Sequence, residues 1–70
     1  MVEVFKTNVQ HKELAEQLVL VLQGRIDFCK INFDLEDCDK ILRVEGKQIC
    51  VKTIIEILNT HGLQCEVLTD

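Results

Sequence analysis

Four cysteines and two histidines are the residues of this 70-residue chain best suited to metal or thiol chemistry. Imidazole and thiolate together suit Zn²⁺ or copper ions, provided they converge on one point. Cys29, Cys38, Cys50 and Cys65 are widely spaced, with no C-x-x-C pair. A metal site would therefore be assembled by the fold, and His11, His61 and Cys38 are the candidate ligands, with Cys65 just inside the same edge. Asp34, Glu36, Asp37 and Asp39 form a second group. A calcium loop needs a longer run with a glycine at its bend, so these acids read as a solvated turn or as a contact patch for a partner. Cys50, near a helix start, is a candidate reactive thiol, and Cys38 a candidate exposed one. Cys29 and Cys65 alternate onto inward faces, as small buried hydrophobes do.

Catalytic spacing is absent. No Ser-His-Asp or Cys-His arrangement is recognisable, and the three glycines, Gly24, Gly46 and Gly62, make no phosphate loop. The expectation is a non-enzymatic protein without a cofactor, a bound Cu or Zn ion being the one exception to weigh. Twelve acids against eight bases give a net charge of −4, with no basic face for nucleic acid. The longest apolar run, Leu18 to Leu22, is far short of the roughly 18 residues of a membrane span. Glu3 stands where an apolar signal core would begin, which points to the cytoplasm and to reduced thiols.

The elements that must position these groups follow from periodicity. Val2–Thr7 reads as a strand with Val2 and Val4 on one face and Phe5 on the other. Asn8 reads as the cap of a helix from His11 to Gln23, with Leu14, Leu18, Val21 and Leu22 on its stripe and Gly24 as its stop. Phe28–Leu35 alternates, turning Cys29, Ile31, Phe33 and Leu35 to one side. Lys40–Glu45 is a third strand with Leu42 and Val44 inward. Val51–Thr60 is a second helix burying Val51, Ile54, Ile55 and Leu58, and Leu63–Leu68 is a last strand. The order β-α-β-β-α-β with two amphipathic helices predicts one domain over residues 1–70. Its fold class is α+β: a ferredoxin-like sandwich, a four-stranded antiparallel sheet with both helices on one face. Phe5, Ile41 and Leu68 are then expected on the outer sheet face, a surface for a homodimer or a protein partner.

This layout resembles the heavy-metal-associated domains of copper chaperones and metal-transporting P-type ATPases. The resemblance rests on the turn Gly24-Arg25-Ile26, the strand Ile31-Asn32-Phe33-Asp34-Leu35-Glu36 and the stretch from Val51 to Leu63. It covers nearly the whole chain and implies the same fold. The family's G-M-x-C-x-x-C loop is absent: Asn8 takes the place of its first cysteine and His11 that of its second. The sequence therefore points to a small binding or interaction module, reaching a partner or a second copy through a sheet face or edge. The competing readings are a Cu or Zn carrier using His11, His61 and Cys38, and a thiol redox sensor at Cys38 or Cys50.

Overall fold

The computed structural model describes residues 1–26 and 28–68. The elements are β1 (Val2–Thr7), α1 (Lys12–Arg25), β2 (Lys30–Asp34), β3 (Ile41–Glu45), α2 (Val51–Thr60) and β4 (Cys65–Val67). They form one sheet in the order β2-β3-β1-β4, with every pairing antiparallel. This is the expected ferredoxin-like arrangement. Leu22 of α1 and Ile54, Ile57 and Leu58 of α2 share one core cluster with Phe5, Ile31, Leu42 and Val44, so both helices lie on the same sheet face. Among the described residues no helix is long and apolar enough to cross a membrane.

The register corrects the reading of β1. Phe5 stands opposite Leu42 and Val67, and both Phe5 and Leu42 are fully buried. Phe5 therefore belongs to the core and not to the outer face, whereas Val2 is exposed and Val4 half-buried on the outer side. The two valines lose because a single period-2 strand can bury only one of its faces, and the phenylalanine brings more area to that face. Ile41, half-buried, and Leu68, exposed, are consistent with the expected outer surface.

Two helix boundaries also differ from expectation. Gly24 does not stop α1, which runs on to Arg25, with the N–H of Ile26 still donating to the carbonyl of Leu22 at 2.8 Å. Asn8 is not its cap: His11 occupies that position, and no side chain there bonds the first turn. Val9, between β1 and α1, is fully buried and packs with Ala15 and Leu18 in a second, smaller core cluster.

One end of the molecule is closed by hydrogen bonds that join three loops. The Thr7 N–H donates to the carbonyl of Asp39 at 3.1 Å, and the Thr7 hydroxyl to that of Lys40 at 2.6 Å. The Gln64 N–H donates to Asn8 Oδ1 at 2.9 Å. The end of β1, the β2–β3 hairpin and the α2–β4 loop are thus held together as one edge.

Candidate functional site

Hydrophobic patterning leaves α1 with more apolar side chains than its buried stripe can take. In the run Leu18–Leu22, Leu18 and Leu22 are buried, Val19 and Val21 half-buried, and Leu20 is 69% exposed. Val19 and Leu20 form one wall of a groove between α1 and β2, of about 720 Å³. Ile31 and Phe33 face it from the strand and Leu35 from just beyond the strand's end, and Phe33 and Leu35 are only half-buried. Lys12, Glu16, Asp34 and Glu36 form its polar rim, three acids against one base.

Beside this groove the backbone of β2 has no neighbour. β2 is an outer strand of the sheet, bonded to β3 on one side only, so alternate residues direct N–H and C=O groups outward. The other outer strand, β4, has three residues against five in β2. An apolar trough next to an open strand edge can take an extended segment, with backbone groups giving affinity and the trough choosing side chains.

The acidic group divides between two places. Asp34 and Glu36 stand on the groove rim, while Asp37 and Asp39 belong to the hairpin tip. Much of their hydrogen-bonding capacity serves the loop. Asp34 Oδ1 accepts the Glu36 N–H at 3.2 Å, and Asp37 Oδ1 accepts the Asp39 N–H at 2.9 Å. Lys40, at φ 49°, donates its Nζ to the Leu35 carbonyl at 3.0 Å and fixes the turn from inside. Asp39 also pairs with Lys6 at 3.7 Å, an exposed contact of little energetic weight.

The expected metal ligands are not gathered as the sequence suggested. Among the described residues, one group of three or more His, Cys, Asp or Glu has ligand atoms within 4.8 Å of one another: Asp37, Cys38 and Asp39. His11 and His61 lie outside it. His11 is exposed at the start of α1. His61 ends α2, and its Nδ1 sits 2.8 Å from the carbonyl of Ile57. A carbonyl only accepts, so Nδ1 carries the proton and Nε2 is the nitrogen with a free lone pair in the neutral ring.

The cysteines sort into two environments. Cys65 packs on the main core cluster, and burial pushes its thiol up to about 11. Cys29 also touches that cluster, with Sγ 3.8 Å from the carbonyl of Gln48. Cys38 and Cys50 are exposed. The hydroxyl of Thr53 donates to Cys50 Sγ at 3.1 Å, and this bond, joined by the Thr53 backbone, holds the Cys50 thiol below its usual range. Cys50 lines a further hollow of about 820 Å³ with Ile26, Phe28, Lys47, Gln48 and Ile49 at the opposite end of the molecule.

Compared with known proteins, the sequence matches no family model, no curated protein and no solved structure. The sequence places Phe33 on the inward side of its strand but assigns neither it nor Val19 and Leu20 to a groove. The signal was present in the five-residue apolar run, which is too wide for one helical stripe.

Proposed function

We propose that this chain is a non-enzymatic interaction module of the heavy-metal-associated type, lacking that family's thiolate loop and working through the α1–β2 side. The observation that carries this reading is the pairing of a half-covered apolar groove with the open outer edge of a five-residue strand. A surface built only for water would cover Phe33 and Leu35 and keep Leu20 polar. The experiment selects peptides from a random library on the immobilised protein, then titrates one of them into isotope-labelled protein. Amide shifts concentrated at Val19, Leu20, Phe33, Asp34 and Glu36 are expected. No selected peptide, or shifts centred on Phe28 and Ile49, would overturn the reading.

A second reading is favoured by one observation, the convergence of Asp37, Cys38 and Asp39. Two carboxylates and a thiolate offer a Zn²⁺ ion three ligands, and His11 or His61 would have to move to add imidazole. Titration of reduced protein with Zn²⁺ and with Cu(I) tests it. Micromolar binding that shifts residues 37–39 and is abolished by Cys38→Ser supports a metal carrier. Absence of localised shifts removes it.

A further inference from the structure

We propose that the strand edge of β2 pairs with β2 of a second copy of this chain, extending the sheet across a twofold axis. This rests on the reading of the α1–β2 side as the contact surface and names its occupant.

The residues of β2 are self-complementary. The strand reads Lys30-Ile31-Asn32-Phe33-Asp34. In an antiparallel pair centred on Asn32, Lys30 of each copy stands opposite Asp34 of the other. Ile31 stands opposite Phe33, and Asn32 opposite Asn32. The strand's alternation puts Lys30, Asn32 and Asp34 on the outer face, where all three are exposed, and turns Ile31 and Phe33 toward the helices. Charge meets charge on the wet face and apolar meets apolar on the other, which is the pairing that stabilises neighbouring strands.

Both charges are available for it. Among the described residues the one ion pair is Lys6–Asp39, so neither Lys30 nor Asp34 is ion-paired with another of them, and Asp34 lends the loop only Oδ1, which accepts the Glu36 N–H. Across the β2–β3 ladder Asp34 faces Ile41, which offers no cation, while Lys30 faces Glu45, an acid of its own chain with which it makes no ion pair within 4.0 Å.

The groove follows the same symmetry. A twofold axis through the Asn32 pair, perpendicular to the sheet, keeps both α1 helices on the same face. The two grooves then open toward each other and become one trough, with β2 from each copy as its floor and Val19 and Leu20 from each on its walls. The surface is isologous, so the contact closes at two copies and does not propagate. β4, three residues long, does not offer a comparable edge.

The test is analytical ultracentrifugation of the intact chain over a concentration series, with four proteins: wild type, Lys30→Asp, Asp34→Lys and the double variant. Both positions are exposed, and circular dichroism verifies that each variant is folded. The wild type is expected to dimerise. Each single variant sets like charges opposite each other at two symmetric places and weakens the dimer by about tenfold. The double variant reverses both signs and restores it. A wild type that stays monomeric up to about 1 mM, single variants without effect, or a double variant as weak as the singles would each overturn the proposal. If a monomeric protein still binds selected peptides at α1 and β2, the second-copy proposal alone is lost. If such peptides also fail, the module reading falls with it.

Discussion

Asn8 and Gln64 are joined by a 2.9 Å hydrogen bond across 56 positions of sequence, the side-chain oxygen of the first accepting the backbone N–H of the second. Asn8 thereby ties the β1–α1 loop to the approach of β4. Asn8→Ala removes the acceptor and is expected to destabilise the fold by about 1 kcal/mol, while Asn8→Asp keeps an oxygen in place and costs less. Urea denaturation measures both, and faster hydrogen exchange of the Gln64 amide in Asn8→Ala localises the effect. An unchanged Gln64 amide in that variant would show that the bond does not hold β4.

The thiols should react in an order set by their surroundings. Cys50 is exposed and its thiolate is favoured by Thr53, whereas Cys65 is held protonated by burial. At neutral pH Cys50 is expected to alkylate well before Cys65, because the thiolate is the nucleophile. Thr53→Val should move the pH midpoint of Cys50 alkylation upward and leave Cys65 as it was. Mass spectrometry of quenched time points reads both rates, and an unmoved Cys50 midpoint would remove Thr53 as the cause.

Burial of Cys65 also gives an alkaline limit to stability. Below about 9 the thiol is protonated in the folded and the unfolded chain, and it contributes no pH dependence. Above that the unfolded chain releases its proton first, while the folded chain keeps it until about 11. The unfolded state then binds fewer protons, so stability falls as pH rises through this window. Urea midpoints measured below and within the window should converge for Cys65→Val and diverge for the wild type. Equal slopes for the two proteins would assign the loss to other groups.

Gly46 is a packing glycine. A Cβ placed there would lie 2.6 Å from Cys29 Sγ and 3.3 Å from the Phe28 carbonyl. Gly46→Ala is expected to cost about 1–3 kcal/mol, the usual range for overpacking. Cys29→Ala removes the nearer atom, so the double variant should lose less than the two single losses added together. A thermal-denaturation cycle of the four proteins measures that coupling. Strict additivity would mean that the backbone, and not the sulfur, resists the methyl group.

The sequence was most informative where one pattern had one solution. α2 spans Val51–Thr60 as its periodicity required, and Ile54 and Leu58 are buried as expected. β1 was harder, because Val2 and Val4 propose one face and Phe5 the other, and only the register against Leu42 decides between them. Asn8 carries a side chain suited to capping, but its oxygen is taken by Gln64, a choice that depends on the placement of β4. The edge that brings the hairpin beside the end of β1 followed from topology. The convergence of ligand atoms did not: His61 turns Nδ1 back onto its own helix at Ile57, a local bond that no count of histidines reveals. The groove was half legible, since the excess of apolar residues in α1 was visible while the missing neighbour of β2 is a property of the whole sheet.

The central position of β1, between β3 and β4, bears on how the chain is made. Its two partners are β3 and β4, so within this domain β1 must wait for β4 before both its edges are bonded. During translation Val2, Val4 and Phe5 are therefore exposed on an unpaired strand while most of the domain is still being added. The β1 edge that faces β4 is closed only when β4 docks, and until then it is an open, aggregation-prone strand edge.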